Sequence, residues 1–360
     1  MLKGSTAPHG NNFGLLRILF AAMVIVSHSP QLVDGNTSRE VMNRFFGTGG
    51  LGGDGVVGFF LVSGYLITKS FSERPHILSY AIKRVARIFP AYLICFLLCT
   101  FALAPFVGAR QSVLMPSQIW SDVFLISFLS GPMVPGAFHG LPYPVLNGSI
   151  WTIAYEFRCY IAVPVIGGVW RLLRLGMFQL RWVLLVLVLA GLVVDAAGYT
   201  SNADTIWTIM IGRPWDNLNF CSVFGVGALF YLFRDRIVLD NYGALAAGCL
   251  LFVTLFNRHA AISGLAVLGG YLLFWFALKF KCLEVSMVAG RNDISYGLYL
   301  YAWPIQNMVI WLDRTINPWV LSLITLALAG LAGYVSWHLV EKRVLAFAQR
   351  LHFSSTRQNI

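Results

Sequence analysis

The sequence predicts an all-α, polytopic membrane protein of about ten transmembrane helices with both termini in the cytoplasm, and three observations predict it. Of 360 residues, 58% are hydrophobic and 11% charged, with a mean hydropathy of +0.71. A soluble domain of this length needs far more polar surface. Apolar runs of about 20 residues, long enough to cross a ~30 Å hydrocarbon layer as helices, recur from end to end. The lysines and arginines fall on alternate sides of those runs, as the positive-inside rule requires. The net charge of +11 therefore reads as topology, and no nucleic-acid partner is expected.

Taken in order, spans are expected at 13–33, 52–69, 87–107, 149–170, 182–200, 217–233, 242–257, 261–278, 294–312 and 318–345. The first carries Arg17 and His28, and no small-x-small cleavage pattern follows it, so it reads as a retained helix and not a signal peptide. In the second, Ser63 and Gly64 interrupt the run beside Phe59, Phe60 and Tyr65; small residues there admit a neighbouring helix. The third follows a basic edge of Lys83, Arg84 and Arg87, then Pro90 and Tyr92. The loop from Pro105 to Asn147 is half apolar, and its Ile119–Ser130 segment suits a re-entrant or interfacial position. The fourth span carries Glu156 and Arg158.

With the N-terminus inside, the outer segments hold only Arg39, Arg44, Arg110, Arg213, Arg258 and Arg314. The remaining basic residues, apart from Arg17 and Arg158 within spans, collect on inner segments, from Lys3 to Arg357. A missed span would scramble that alternation. The membrane domain is expected over 1–348 and a short cytoplasmic tail over 349–360. The six cysteines lie singly in or beside apolar runs without CxxC spacing. They read as small hydrophobes, so neither a disulfide framework nor a metal is expected.

Ionisable groups inside spans cost free energy unless paired or wet, and so point to function. Arg17 and His28 are eleven residues apart, close to three helical turns, which puts both on one face about 16 Å apart. Arg17 falls near the cytoplasmic end and His28 in the outer half. Glu156 lies about two turns in from the outer surface, with Ser149, Thr152 and Tyr160 on its face of the helix. Arg158 either pairs with Glu156 or snorkels. The bland reading of His28 is a hydrogen-bonding link between helices. At the third span, Arg84 and Arg87 suit an anion site for the phosphates of a nucleotide-like donor, and the positive-inside rule explains them equally well.

These residues together resemble the acyltransferase 3 family of integral membrane proteins, many of which O-acetylate bacterial surface glycans. Arg17 and His28 match its R-x10-H element, and Gly55 to Ile67 its G-V-x-x-F-F-x-x-S-G-[FY]-L-I run. Arg84 to Tyr92 resembles R-x-x-R-I-x-P-x-Y, Ser149 to Glu156 resembles S-x-W-[ST]-x-x-x-E, and Ser295 to Leu300 resembles S-Y-S-L-Y-L, with Glu341 as the acidic residue closing the last helix. Val57 stands where many members carry Asp and Ala302 where many carry His, so neither is assigned a role. The appended hydrolase-like domain of longer members is not expected here.

The resemblance implies acyl transfer, with acetyl-coenzyme A or another acyl-coenzyme A as co-substrate. It also implies a glycan acceptor, such as O-antigen, exopolysaccharide or a lipid-linked unit, and a place in the bacterial inner membrane. Arg84, Arg87 and Tyr92 would hold the donor, His28 would serve as base or acyl carrier, Glu156 would orient or balance the imidazole, and Arg17 would position the donor. The competing expectation is a secondary transporter or flippase with a His, Glu and Arg path; no inverted repeat or matched pair of broken spans supports it.

Overall fold

The computed structural model describes residues 11–198, 206–280 and 292–357, with side chains except at 206 and 351–357. Lys3, Lys281, Arg291, Cys282 and the end of the fifth expected span lie outside the described residues. The described chain is helical, without strands. In order it forms α1 (Phe13–Asp34), α2 (Val41–Phe46), α3 (Leu51–Glu73), α4 (Ile77–Leu103), α5 (Pro116–Ser127), α6 (Trp151–Leu172) and α7 (Met177–Ala196). Then come α8 (Ile206–Ile211), α9 (Pro214–Leu232), α10 (Asn241–Thr254), α11 (Ala261–Lys279), α12 (Ser295–Leu312), α13 (Pro318–Ser336) and α14 (Lys342–Arg357).

Each expected span coincides with a helix. Six stretches, which include α1, α3, α4, α7, α11 and the run from Pro318 to Arg350, are long and apolar enough to cross a membrane by length and composition, while α10 is apolar but shorter. The protein is a polytopic integral membrane protein. Helix α4, the third expected span, begins ten residues before its expected start, because Lys and Arg are good helix formers whose long stems let the basic turns stand clear of the hydrocarbon. His76 caps it, its Nδ1 accepting the Ser79 backbone N–H at 3.2 Å. The Ile119–Ser130 segment falls mostly in α5, whose 12 residues are too few to span a bilayer. Helix α14 runs through the expected 348/349 boundary.

The chain divides into two compact units. The first comprises residues 1–20, 41–75 and 155–291. Its centre is the crossing of α3 and α9, where a side chain on Gly64 would strike the Phe224 carbonyl and one on Gly227 the Leu61 carbonyl. Two backbones approach this closely only through small residues, the packing expected where lipid supplies no hydrophobic drive. Phe60 stacks on Phe220 beside the crossing at 4.5 Å between ring centroids. Asn12 closes the end of α11, its Nδ2 donating to the Phe276 and Phe280 carbonyls at 3.2 and 2.7 Å.

Cys159 on α6 and Cys221 on α9 also meet here, with sulfurs 3.7 Å apart. The sequence reading treated them as separate small hydrophobes, and no local spacing links residues so far apart. Mild oxidation of membranes is expected to join the two. Alkylation and mass spectrometry would then find both thiols protected together, whereas two thiols that stay fully alkylatable would refute the packing of α6 on α9.

The second unit comprises residues 21–40, 76–154 and 292–360. In it α12 and α13 pack side by side, and α4 brings Tyr92, wholly buried, beneath the outer loop. The loop is braced from within. The Tyr92 hydroxyl donates to the Ser130 carbonyl at 2.8 Å, and Gln118 Nε2 donates to Asp122 Oδ1 and the Met133 carbonyl at 2.8 and 2.9 Å. Burial pushes the Asp122 carboxyl above the usual carboxylate range, against the pull of that hydrogen bond from Gln118.

Candidate active site

The residues singled out by sequence divide between the two units: Arg17 and Glu156 belong to the first, and His28, Arg84, Arg87 and Tyr92 to the second. Helix α1 carries Arg17 and His28 in one continuous helix from Phe13 to Asp34.

Around His28 the second unit builds an ordered wall. The imidazole Nδ1 lies 3.0 Å from Gln31 Oε1, one turn further along the helix. The Trp303 ring meets it edge-on, 5.0 Å between centroids and 73° between planes. Trp303 is itself fixed, because its Nε1–H donates to the Val145 carbonyl at 3.1 Å and its six-membered ring lies against Gly148. A β-carbon at Gly148 would come within 2.5 Å of that ring, so a residue from the sequence's S-x-W stretch is glycine-flanked for space. Asn307 Nδ2 holds the same strip of backbone through the carbonyls of Tyr143 and Val145, at 3.0 and 2.9 Å.

Helix α1 is pinned beside the histidine. Gln306 Nε2 donates to the Ile25 carbonyl at 2.9 Å and to Ser29 Oγ at 2.8 Å, just before Pro30 removes a backbone donor. Buried Glu40 accepts from Ser27 Oγ at 3.0 Å.

In the first unit Glu156 Oε1 accepts two hydroxyls, Ser63 Oγ and Tyr160 Oη, each at 2.6 Å. Tyr160 was on the expected polar face. Ser63 was read only as a small packing residue; Gly64 packs that way, while Ser63 turns its hydroxyl to the carboxylate. Thr152 of the same expected face bonds Tyr299 Oη at 2.7 Å instead. Arg158 is engaged apart from Glu156, donating to the Ile209 and Met210 carbonyls at 3.4 and 3.3 Å and lying over the Tyr155 ring at 4.7 Å.

At the other expected binding element, Arg87 sits in a carboxylate cluster. Its Nη2 donates to Asp293 Oδ2 at 2.7 Å and its Nη1 to Glu341 Oε2 at 3.3 Å, and its guanidinium lies over Tyr296 and Trp337 at 5.6 and 6.0 Å. Ser295 Oγ donates to Asp293 at 2.6 Å and Ser336 Oγ to Glu341 at 3.1 Å. The last bond joins residues five apart, the spacing that the widened π turn at Trp337–Glu341 brings into line. Arg84 lies over the Tyr80 ring at 5.5 Å. Val57 and Ala302, which replace ionisable residues of the resemblance, are both buried apolar contacts.

The all-helical fold with long apolar spans defines the class, an integral membrane protein. The chain belongs to the acyltransferase 3 family, whose pattern, described as an acyltransferase domain, matches residues 11–340. It is 30% identical over 340 residues to a protein named O-acetyl transferase from Shigella phage Sf6, covering 93% of this chain and 96% of that one. It is 26% identical over 367 residues to Nodulation protein 10 of Rhizobium leguminosarum bv. viciae, covering 93% of each. No solved structure matches it. The chain is an O-acyltransferase, and the transporter reading falls.

Proposed function

We propose that this enzyme transfers an acetyl group from acetyl-coenzyme A, taken from the cytoplasm, to a hydroxyl of a cell-surface or exported glycan at the bacterial inner membrane. The observation that carries the reading is the His28 ring, held on one nitrogen and on its edge while its second nitrogen has no hydrogen-bond partner among the described residues. An imidazole so placed is suited to take the proton of an attacking hydroxyl near neutral pH. The similarity to a protein named O-acetyl transferase supports acetyl as the group moved.

In this reading the sugar oxygen attacks the thioester carbonyl, its proton passes to His28, and coenzyme A leaves as the thiol. Glu156, held by Ser63 and Tyr160, keeps the charge-balancing role that the family resemblance gives it. Arg84 and Arg87 hold the charged donor, and Arg17 keeps the donor-positioning role that the resemblance gives it. Tyr92, expected to bind the donor, is wholly buried with its hydroxyl on the Ser130 carbonyl and instead braces α4. A covalent acetyl-His28 relay is the variant that carries the group outward in two steps.

Membranes containing the protein, given acetyl-labelled coenzyme A together with the host's surface glycan, are expected to pass label into that glycan. A glycan that stays unlabelled, with the protein present and folded, would overturn the reading. Label trapped on the protein and lost in His28→Ala would select the relay.

A further inference from the structure

Every hydrogen bond needs a donor, and in the contact between His28 and Gln31 the facing atoms are Nδ1 and Oε1. An amide oxygen has no proton to give, so Nδ1 carries the hydrogen. A neutral imidazole with its hydrogen on Nδ1 has its lone pair on Nε2. The ring is also fixed in orientation, because Trp303 packs T-shaped against it and is anchored in turn by Val145 and Gly148. We propose that Gln31 is the positioning residue of this site, its amide oxygen holding His28 in the single tautomer that presents Nε2 as the basic atom. The proposal rests on the reading of His28 as base or acyl carrier and adds which nitrogen acts and what selects it.

A glutamine suits this task better than a carboxylate. A neutral acceptor fixes the tautomer without binding the proton that the ring must later release, whereas Glu at 31 would favour the imidazolium. Two other titratable groups belong to this part of the unit: Glu40 is engaged by Ser27, and Tyr143 packs on Trp303 at 6.3 Å. Neither touches the imidazole, so substitution at 31 isolates the effect.

The test uses diethyl pyrocarbonate, which modifies histidine only in its unprotonated form and needs no glycan. Intact membranes are treated across a pH series and the His28 peptide is followed by mass spectrometry. Wild-type His28 is expected to react along a single ionisation curve, and in Gln31→Glu that curve is expected to move by about one pH unit or more to alkaline. Label transfer from acetyl-coenzyme A is read on the same membranes. Its acid limb is expected to move with the curve in Gln31→Glu, and Gln31→Leu is expected to lose about tenfold in rate at unchanged protein level.

Coincident curves for wild type and Gln31→Glu, or a His28 that does not react at any pH, would overturn the proposal. A merely structural Gln31 would change protein amount without moving either curve. Failure of label transfer in the wild type with the reagent curves shifted as expected would instead refute the assigned reaction and leave the positioning role intact.

Discussion

Replacing His28 by alanine is expected to lower label transfer from acetyl-coenzyme A to glycan by about two to four orders of magnitude, the contribution of a well-placed proton acceptor. The protein should stay in the membrane at wild-type amount. Alanine is the best helix former, so α1 itself is not weakened. The interactions removed are one neutral hydrogen bond to Gln31, worth about 1 kcal/mol, and an edge contact with Trp303 of about 0.5–1.5 kcal/mol. Such a loss is small beside the other anchors of the helix at Ile25 and Ser29. Rate and protein level, measured on the same membranes, thus separate chemistry from a helix-linking histidine. Transfer that survives the change would end the assignment.

Arg87→Ala should act oppositely, on folding first. Glu341 is fully buried, and stripping a buried carboxylate of its cation costs about 3–5 kcal/mol. Thermal unfolding of the purified protein in detergent is the measurement. The pair Arg87→Met with Glu341→Leu removes the cation and its fully buried partner while keeping volume, leaving only the part-exposed Asp293 held by Ser295, and is expected to recover much of the lost stability. That double variant then exposes the donor-binding role. If Arg87 also meets the phosphates of coenzyme A, the refolded enzyme needs about tenfold more acetyl-coenzyme A to reach half its maximal rate, the effect of losing about 1.4 kcal/mol from a charge-assisted bond. A double variant as unstable as Arg87→Ala would refute the ion-pair account, and an unchanged donor requirement would remove Arg87 from the binding roles.

Helices were legible wherever a run of apolar residues had no alternative to crossing or lining lipid, since such a run must satisfy its backbone internally. Their ends were less so. Charges mark the limit of an apolar run at 87, whereas α4 starts at Ile77 and takes in Lys83 and Arg84. His28 and Glu156 stood out because ionisable groups are rare at that depth. Their partners did not. Gln31, three positions on, was open to view as an i,i+3 neighbour, but a glutamine near the end of a span carries no distinguishing mark. Ser63 meets Glu156 from 93 residues away and Arg87 meets Glu341 from 254; periodicity says which face a residue occupies and nothing about which distant face it meets. The rule that a buried charge is paired did require a cation for Glu341, without saying which.

The double grip of Gln306 on α1 bears on how the proposed transfer across the bilayer would work. A carrier that rocks its binding helix between two outlooks would have to break both bonds at every turnover. If His28 is the base, as proposed, it is a fixed post, and the long, flexible arm of the thioester donor must bring the carbonyl to the ring. Under that reading the room around the arm, more than the histidine itself, would set how large an acyl group is admitted.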